Sequence, residues 1–420
     1  MPGYNQVVLP YHFVKALMAG VKYGFPGKKL RVIGVTGTNG KTTTSFMIWK
    51  MLNEAGHKTG LMTTVAWGGV DGEKLNKQIE HMTTVESLEL NRRIKEMLEA
   101  GAEFLVLEVT SHALVQFRTL GIPIEIAVMT NVTHEHLDYH KTFDNYVKAK
   151  TKLFKKAKFG VANIDDESYK KFAACCPTTS YGIRKNADLK AEKVKLSAEG
   201  VEYKCRDMEI KTKVPGEFNV YNSLAAVGVG LKLGLTPGQI ERGIYALSEV
   251  EGRMNRLDFG QEYGVIVDFA HTPDAFEKVF SSVRGRSSTR GVSGKGGRII
   301  SLFGGAGRRD ETTRALRGEI AGKNSDIVIL TEDDSRDEDP LKIIEEFKQG
   351  VLEGGLTEDK IFIEPNRKKA IELAVSMAEP GDLVLLLGKG HEKTILRVDG
   401  PHKFEDIKVA DKAIKAQLKK

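Results

Sequence analysis

Short apolar runs rich in β-branched residues alternate with stretches of helical periodicity along nearly the whole chain. Such alternation is typical of α/β architecture with largely parallel sheets. Helical periodicity is clearest at Ser45–Glu54 and Asn219–Leu247. Buried strands are predicted in two series, namely Leu30–Thr36, Phe104–Val109 and Glu125–Met129, then Gly264–Phe269, Ile299–Phe303, Asp326–Leu330, Ile361–Ile363 and Asp382–Leu387.

The two series of strands are separated near Glu251-Gly252-Arg253, after the second helical stretch. The chain has 420 residues, which is too long for one ordinary domain. We therefore predict a short N-terminal extension over residues 1–29, a central domain over 30–250 and a C-terminal domain over 251–420. The Gly-, Ser- and basic-rich segment Arg284–Gly297 is predicted to be a mobile, solvated loop.

The composition, with 41% hydrophobic and 28% charged residues, is typical of soluble globular proteins. The sequence shows neither a long uninterrupted apolar window nor a signal-peptide pattern, which predicts a cytoplasmic protein without a membrane span. The three cysteines form neither a disulfide framework nor a zinc-ligand pattern. A net charge of +7 is spread along the chain without a nucleic-acid-binding motif. We expect small-molecule partners and a monomer, with no nucleic acid and no membrane.

A phosphate-binding loop is predicted directly after the first strand. The loop reads Gly37-Thr38-Asn39-Gly40-Lys41-Thr42-Thr43 and leads into a helix. Glycines allow successive backbone N–H groups and the helix N-terminus to face phosphate oxygens. Lys41 would reach the outer phosphates of ATP, and the Thr42 hydroxyl would ligate Mg²⁺. The strict Walker spacing is not met, because Val35 stands where its first glycine would be.

Polar residues follow the next two predicted strands, at the sheet edge where α/β proteins bind ligands. Glu108 ends one strand, and His136 lies in the run Thr130–His140 after the other. Glu108 and His136 could together hold a second Mg²⁺ between the γ-phosphate and an acceptor carboxylate. Three histidines in this run also suggest zinc, but their spacing is not typical of a closed zinc site. A third interpretation is that the histidines cap the strand end by hydrogen bonds.

Lys150 falls on the apolar stripe of a predicted helix, together with Tyr146, Val147, Leu153 and Phe154. An inward lysine needs a partner or a function, because burial of a lone ammonium is costly. A lysine that is easily neutralised can react with CO₂ to form a carbamate, whose oxygens could ligate Mg²⁺. Alternatively, the stem snorkels and returns the amine to water. The spacing alone does not distinguish these two possibilities.

Taken together, these motifs resemble those of the Mur ligase family, and within it the MurE type, which adds an amino acid to UDP-N-acetylmuramoyl-dipeptide. Any one motif alone would be weak, whereas many matches in the family's order are highly specific. The matching motifs run over about residues 30 to 410 and are Gly37–Thr42, Glu108–Leu114, Thr130–His140, Gly216–Asn219, Gly252–Met254, Asp268–Pro273 and Gly388–Glu392.

The resemblance implies a central P-loop ATPase domain with a parallel sheet and a C-terminal Rossmann-like domain. It implies that ATP phosphorylates a substrate carboxylate, that an amino acid's amine then attacks the acyl phosphate, and that ADP and phosphate are released. The pathway it implies is peptidoglycan synthesis. It also implies that Lys150 is a carbamylated lysine that ligates Mg²⁺. The catalytic residues would then be Lys41, Glu108, His136 and Lys150.

Further residues match ligand-binding positions of the family. Those around ATP, besides the loop Gly37–Thr43, would be Asn219, Arg253, Asp268 and His271. Those that hold the nucleotide-sugar peptide would be Thr83, Thr84, Ser111 and Arg118. The incoming amino acid would meet Arg309, Asp333, Asp334, Arg336, Gly388 and Glu392. In this last group an arginine can clamp a carboxylate, and Glu392 can hold an ammonium.

The chain departs from the MurE pattern at its start and in the amino-acid segment. Only about 29 residues precede the first strand, whereas MurE members carry an N-terminal domain that grips uridine diphosphate. Either UDP binding is supplied otherwise, or the acceptor is not that nucleotide. The Asp-Asn-Pro-Arg motif of diaminopimelate-adding members reads Asp333-Asp334-Ser335-Arg336. Arg336 could bind a distal carboxylate, and Asp334 could bind a second amine. Diaminopimelate, lysine and similar diamino acids are therefore all candidates. Glu135 and Asn255 are milder departures, where the family commonly has Asp and Glu.

Three alternatives compete with this interpretation. The first is a ligase of the same architecture with another acceptor, such as the folylpolyglutamate synthases, which also lack the uridine-binding domain. The second is a non-catalytic nucleotide-binding subunit, which would have no need of Glu108, His136 and Lys150. The third is a dinucleotide oxidoreductase based on the run Gly304-Gly305-Ala306-Gly307, but no hydride-transfer site accompanies that run.

Overall fold

The computed structural model describes residues 3–78, 82–197, 199–284, 297–309 and 311–419. The chain divides into two compact units, Met1–Ser248 and Glu249–Lys420. In the described part of the chain, no helix has both the length and the apolar character needed to cross a membrane. Nearly all of the predicted loop Arg284–Gly297 lies outside the described residues.

The first unit contains twelve described strands and nine described helices. The strands are β1 Arg31–Thr36, β2 Thr59–Met62, β3 Ala66–Gly68, β4 Leu75–Lys77, β5 Phe104–Glu108, β6 Ile124–Met129, β7 Ala157–Asn163, β8 Thr178–Gly182, β9 Leu189–Lys190, β10 Glu192–Leu196, β11 Val201–Cys205 and β12 Met208–Thr212. The helices are α1 Gly3–Tyr23, α2 Lys41–Glu54, α3 Ser87–Glu99, α4 Ser111–Val115, α5 Leu137–His140, α6 Phe143–Phe154, α7 Tyr169–Ala173, α8 Phe218–Lys232 and α9 Pro237–Tyr245, with a 3-10 helix at Pro26–Lys29.

A nine-stranded sheet in the order β4-β3-β2-β5-β1-β6-β7-β8-β9 forms the centre of this unit. From β2 to β9 neighbouring strands are parallel, and β1 lies between β5 and β6, so that Gly34 pairs with both Leu107 and Ala127. All five residues of β5 are buried, as expected for a parallel strand covered on both faces. The three strands predicted in this half are confirmed as β1, β5 and β6.

The predicted helical stretch Asn219–Leu247 is wrong as a single element, because it consists of the two helices α8 and α9. Gly234 adopts a left-handed φ of 85° after α8. Thr236 then caps α9 through a capping box with Gln239, and Pro237 occupies the first turn. A left-handed residue and a new N-cap stop one helix and start the next.

Several parts of the first unit were not predicted as elements, and two of them add to its architecture. Strands β10 to β12 form an antiparallel sheet, in which β11 and β12 alternate buried and exposed residues. Helix α1 lies within the predicted N-terminal extension and contacts α3. Its Lys15 donates a hydrogen bond of 2.8 Å to Glu86, which precedes α3. The extension therefore contains a packed helix.

The second unit contains eight described strands and five described helices. The strands are β13 Asn255–Leu257, β14 Gly264–Asp268, β15 Ile299–Phe303, β16 Ile327–Leu330, β17 Ile361–Ile363, β18 Leu383–Leu387, β19 Thr394–Arg397 and β20 Gly400–Lys403. The helices are α10 Pro273–Arg284, α11 Thr312–Asn324, α12 Pro340–Glu353, α13 Arg367–Met377 and α14 Asp406–Gln417, with a 3-10 helix at Glu358–Lys360.

A six-stranded sheet in the order β13-β14-β18-β15-β16-β17 organises this unit. All its neighbouring strands are parallel except the antiparallel pair β13 and β14. The five strands predicted in this half are confirmed as β14 to β18. Because the carboxyl ends of parallel strands share one edge, the segments after β14, β16 and β18 emerge on the same side of the sheet.

Candidate active site

The phosphate-binding loop joins the end of β1 to the start of α2. Gly40 caps α2 with a left-handed φ of 82°. A Cβ atom at Gly40 would lie 2.3 Å from Asn222 Oδ1, and one at Gly37 would lie 1.9 Å from Thr130 Oγ1. Both positions therefore require glycine. The resulting tight loop leads directly into the N-terminus of α2. Its backbone N–H groups and the helix N-terminus suit an anionic phosphate group.

Residues that follow β6 hold this loop in shape. Thr38 N donates to the carbonyl of Asn131 at 2.7 Å. Asn39 N donates to Asn131 Oδ1 at 3.0 Å, and the carbonyl of Asn39 accepts from Asn131 Nδ2 at 2.9 Å. Thr130 Oγ1 also donates to that carbonyl at 2.7 Å. The start of the predicted Thr130–His140 run thus preorganises the phosphate loop.

Thr42 and Glu108 lie side by side at the carboxyl edge of the sheet. Thr42 Oγ1 donates to Glu108 Oε2 at 3.0 Å, and both residues are almost fully buried. A hydroxyl and a carboxylate offer the oxygen ligands that Mg²⁺ prefers. Nearby, Lys41 Nζ donates to the carbonyl of Thr38 at 2.7 Å, so its ammonium lies over the loop. The donor set and the glycine cradle fit a magnesium-bound nucleotide.

Thr64 is a further site residue that the sequence motifs did not indicate. Glu108 Oε2 accepts from Thr64 N at 3.1 Å and lies 3.2 Å from Thr64 Oγ1. The Thr64 hydroxyl also donates to Thr83 Oγ1 at 2.9 Å. Thr64 follows β2, a short strand that was not predicted. Recognition of β2 would have supplied the signal, since its carboxyl end shares the edge with β1 and β5.

The histidines after β6 lie among aromatic and acidic neighbours. His136 Nε2 lies 3.7 Å from Glu135 Oε1, and its ring centroid is 4.8 Å from that of His112. His134 stacks on Phe143. His140 Nε2 lies 2.9 Å from Ser111 Oγ. These contacts do not resemble a closed zinc site. They place His136 and Glu108 against different neighbours, and a Mg²⁺ ion shared by the two stays a prediction.

Lys150 points inward from α6 and is 2% exposed. Its Nζ donates to the carbonyl of Gly37 at 2.7 Å and lies 4.4 Å from the ring centroid of Tyr146. The snorkelling alternative is therefore wrong. Burial, together with the nearby charge of Lys41, holds the pKa of Lys150 well below its usual range. The site thus favours the neutral amine, which is the form that reacts with CO₂.

Three of the four predicted acceptor-binding residues cluster near the end of β5. Thr84 Oγ1 donates to the carbonyl of Glu108 at 3.0 Å, and Arg118 Nη1 donates to the carbonyl of Thr84 at 2.5 Å. Thr83 joins them through Thr64. Arg118 is itself held by an ion pair of 3.0 Å with Glu86. The fourth residue, Ser111, starts α4 and contacts His140 instead.

Asn219 contacts the phosphate-loop helix through an intermediary. Asn222 Nδ2 donates to Asn219 Oδ1 at 2.8 Å, and Asn222 Oδ1 accepts from Thr44 Oγ1 at 3.2 Å. All three side chains are buried. The start of α8 is therefore fixed against α2. Asn222 was not predicted, although it lies one helical turn after Asn219.

In the second unit, Arg253, Asp268 and His271 surround Phe269. The carboxylate of Asp268 accepts from the backbone N–H groups of Met254 and Ala270, both at 2.7 Å, and burial raises its pKa. The guanidinium of Arg253 lies 4.8 Å from the Phe269 ring centroid. His271 Nδ1 lies 2.8 Å from the carbonyl of Phe269. Of the residues that the resemblance places around ATP, the three in the second unit are thus brought together.

The predicted amino-acid residues cluster after β16 and β18, around a residue that was not assigned a role. Lys389 Nζ lies 3.4 Å from Asp333 Oδ1, 2.7 Å from Asp334 Oδ1 and 2.5 Å from Glu392 Oε2. Burial alone would lower the pKa of Lys389, but the three carboxylates raise it above its usual value. Gly388 has a φ of 106°, and a Cβ there would lie 2.9 Å from Asp333 Oδ2.

Two arginines complete this cluster. Arg336 has a left-handed φ of 57°, and its Nη1 donates to the carbonyl of Gly307 at 2.8 Å. Burial and the charge of Arg309 lower the pKa of Arg336. A pair of arginines beside three carboxylates can bind both ends of a zwitterion.

Family models and curated relatives match most of this chain. A model described as the Mur ligase middle domain matches residues 35–230, and one described as the Mur ligase, glutamate ligase domain matches residues 252–390. A UDP-N-acetylmuramoyl-L-alanyl-D-glutamate–2,6-diaminopimelate ligase of Clostridium acetobutylicum is 39% identical, over 95% of this chain and 81% of that protein. A UDP-N-acetylmuramyl-tripeptide synthetase of Roseiflexus is 38% identical, over 95% and 81%.

Solved structures share the architecture. A UDP-N-acetylmuramoyl-L-alanyl-D-glutamate–2,6-diaminopimelate ligase is 31% identical, with a TM-score of 0.61 over 93% of this chain and 79% of that one. The folylpolyglutamate synthase of Mycobacterium tuberculosis is 15% identical, with a TM-score of 0.72 over 89% of this chain and 92% of that one. At that identity the second likeness shows the fold alone. The predicted P-loop ATPase and Rossmann-like architecture is confirmed.

Proposed function

The chain belongs to the Mur ligase family of ATP-dependent, ADP-forming ligases, and from this premise we propose that it adds diaminopimelate to UDP-N-acetylmuramoyl-L-alanyl-D-glutamate. We place the reaction in the cytoplasm, where ATP and nucleotide-linked acceptors are found, and assign it to a monomer. The observation that carries the proposal is the charge pattern after β16 and β18. Carboxylates and arginines there match a substrate end that has both an ammonium and a carboxylate.

The first unit would bind ATP through the loop Gly37–Thr43. Its backbone N–H groups and Lys41 would hold the phosphates, and Thr42 and Glu108 would hold Mg²⁺. His136 is assigned to the second metal position. Mg²⁺ would neutralise charge on the transferred phosphoryl group. In the second unit, Arg253, Asp268 and His271 would contact the nucleotide, as would Asn219 in the first.

We assign Lys150 the role of a carbamylated metal ligand. The support is its burial, its lowered pKa and its hydrogen bond to the carbonyl of Gly37 in the phosphate loop. A neutral amine attacks CO₂ and loses a proton, which gives a carbamate with two oxygens. The change replaces a neutral buried amine by an anion, so it suits a site that binds Mg²⁺.

The reaction would then proceed in two displacements. An oxygen of the acceptor carboxylate attacks the γ-phosphorus, the bond to the bridging oxygen breaks, and ADP leaves. The neutral amine of the amino acid attacks the acyl carbon, phosphate leaves with the bonding electrons, and the amine loses a proton to form the amide. Thr83, Thr84, Ser111 and Arg118 would orient the acceptor, since a fixed geometry lowers the entropic barrier.

The amino-acid end would be recognised by residues that follow β15, β16 and β18. Arg336 and Arg309 would clamp carboxylate groups, and Glu392 with Asp334 would face the distal ammonium. Lysine lacks the distal carboxylate, so it would leave one arginine without a partner. This difference is the reason to place diaminopimelate before lysine.

A mass-spectrometric ligase assay tests the proposal. The protein is incubated with ATP, Mg²⁺ and bicarbonate, and UDP-N-acetylmuramoyl-L-alanyl-D-glutamate is compared with the same dipeptide sugar without its nucleotide. Each acceptor is paired with diaminopimelate, lysine or glutamate. We expect a tripeptide product with the nucleotide acceptor and diaminopimelate. Product with only the other acceptor, or with glutamate alone, would contradict the proposal and assign the chemistry to another pathway.

A further inference from the structure

The ammonium of Lys389 is enclosed by carboxylates from two different loops. Asp333 and Asp334 follow β16, whereas Lys389 and Glu392 follow β18. The side chain of Lys389 is 0% exposed, and its Nζ is within 3.4 Å of one oxygen from each of the three acids. This ion-pair cluster lies within the segment that is assigned to the incoming amino acid.

Without that ammonium the three acids would form a site for a free cation. One oxygen from each of Asp333, Asp334 and Glu392 can be chosen so that all three lie within 4.8 Å of one another. Such a set of carboxylates binds divalent ions or additional ammonium groups. Lys389 therefore occupies a position that a free cation would otherwise take, and it lowers the negative charge of the cluster by one.

Other cations face the cluster but have partners elsewhere. Arg367 interacts with Asp333 and Glu392 over a longer range, while its Nε and Nη2 donate to Asp406 at 2.8 and 2.7 Å. Arg336 interacts with all three acids in the same way and donates to the carbonyl of Gly307. Lys389, by contrast, contacts all three acids directly, at 3.4 Å or less.

The backbone fixes Lys389 in this place. Gly388 and Gly390 on either side have positive φ values of 106° and 50°. A Cβ at Gly390 would lie 2.7 Å from Phe269 Cβ. Asp334 Oδ1 also accepts from Leu396 N at 2.9 Å, which ties the acid to the chain beyond Lys389. A substrate ammonium could not displace Lys389 without a rearrangement of both loops.

We propose that Lys389 is a positioning residue that sets the specificity of the amino-acid subsite for a distal end that carries both an ammonium and a carboxylate. By permanently neutralising one of three acids, it keeps the remaining charge low enough for a carboxylate to approach Arg336. Removal of its charge would make the subsite more negative, would repel that carboxylate and would favour a purely cationic end. This inference rests on the proposed function.

The first test is a change in amino-acid preference. We expect Lys389→Met to lower the ratio of kcat/KM for diaminopimelate to kcat/KM for lysine at least tenfold, with KM for ATP within twofold of the wild type. Lys389→Arg keeps the charge and should keep the ratio within threefold. Lys393→Met is the matched control, because Lys393 pairs with Glu251 and Glu405 outside the cluster. An unchanged ratio in a folded Lys389→Met protein would overturn the proposal.

The second test does not depend on catalysis. Calorimetric titration with Tb³⁺ should reveal one more binding site in Lys389→Met than in the wild type, and Asp334→Asn added to that variant should remove it. If the wild type ligates no amino acid but the extra site appears, the proposed function fails and the charge role of Lys389 stands. If the wild type is active and no extra site appears, the inference fails alone.

A third variant covers the case in which Lys389→Met does not fold. Lys389→Met combined with Asp334→Asn removes one charge of each sign and leaves no unpaired buried acid at position 334. Because Asp334 itself is assigned to the distal ammonium, we expect this double variant to fold and to lose kcat/KM for both amino acids, while the diaminopimelate-to-lysine ratio stays within threefold of the wild type. A tenfold lower ratio in that folded protein would show that charge at Lys389 does not set the preference.

Discussion

Two buried lysines, one in each unit, have opposite surroundings. Lys150 in the first unit contacts a backbone carbonyl and the face of Tyr146. Lys389 in the second unit contacts three carboxylates. Burial lowers the pKa of both lysines, but at Lys389 the acids more than offset it. The same side chain is therefore easily neutralised in one unit and permanently charged in the other.

The comparison shows that partners rather than burial decide what a buried lysine can do. A buried ammonium without a counter-charge tends to lose its proton, because desolvation penalises the charged form. The free amine is then available for chemistry. An ammonium among carboxylates keeps its proton and acts as a fixed charge. Lys150 is therefore suited to react as a free amine, whereas Lys389 is suited to position charged groups.

The largest expected effect is on catalysis at Lys150. We expect Lys150→Ala to lower kcat about 10³-fold, because the metal position would lose a ligand close to the transferred phosphoryl group. Lys150→Glu, or small carboxylates added to Lys150→Ala, should restore part of the rate. Lys152→Ala is the matched control on the exposed face of the same helix and should keep full activity. The measurement is amino-acid-dependent phosphate release, and a fully active Lys150→Ala would refute the carbamate.

For the free energy of unfolding we expect the reverse order, with the larger effect at Lys389 and the smaller one at Lys150. Lys389→Met should lower the free energy of unfolding by about 3 kcal/mol, because it leaves buried acids without their partner. Lys150→Met should change it by less than about 1 kcal/mol, because it removes a poorly solvated amine whose hydrogen bond goes to a backbone carbonyl. Urea unfolding of both variants measures the difference. Equal losses of unfolding free energy in the two variants would show that the two lysines do not differ in their contribution to stability.

A smaller effect is the dependence of activity on pH and bicarbonate. The lowered pKa of Lys150 means that its amine becomes protonated only well below the ordinary range of lysine. Since the carbamate forms from the neutral amine, activity with bicarbonate should fall as the pH drops through that lowered pKa. Lys389 has a raised pKa, so it keeps its own proton throughout and would lose it only above the ordinary lysine range. A pH–rate profile should therefore lose its bicarbonate dependence in Lys150→Glu.

The elements that carry the site could be predicted where their pattern is local. Apolar runs identified β1, β5 and β6, and the polar segments after them are the ones that surround the phosphate loop. The helical spacing of apolar residues placed Lys150 on the inward face of its helix, and the side chain is buried there. Its partner, the carbonyl of Gly37, lies 113 positions away in the sequence, and no local pattern indicates it.

Features that depend on contacts between distant segments were missed. The acids around Lys389 come from two loops that are separated by α12, β17, α13 and β18, so their convergence follows only from the strand order. Strand β10 is mostly exposed and carries Lys and Glu, which hides its strand character. The break between α8 and α9 had a visible signal in Gly234 and Pro237, but apolar periodicity on both sides of it outweighed that signal.

The smallest expected effect concerns Thr64, which lies between Glu108, a proposed Mg²⁺ ligand, and Thr83, a proposed acceptor-binding residue. Its hydroxyl lies 2.9 Å from Thr83 and 3.2 Å from Glu108, but it has a single proton to donate. Thr64→Val keeps the volume and the backbone hydrogen bond to Glu108 while it removes that proton. We expect kcat/KM for the acceptor to fall about tenfold, the size typical of a lost hydrogen bond to a charged group.

Thr64→Ser separates this role from simple packing, because serine restores the hydroxyl without the methyl group. It should recover most of the lost kcat/KM, and the Mg²⁺ concentration for half-maximal rate should return with it. If serine recovers the acceptor KM but not the Mg²⁺ dependence, the hydroxyl serves Thr83 rather than Glu108. If neither variant differs from the wild type, the contacts of Glu108 with Thr42 and with the backbone of Thr64 are sufficient to position it. The ion-pair cluster around Lys389 is then the site at which activity is more sensitive to mutation.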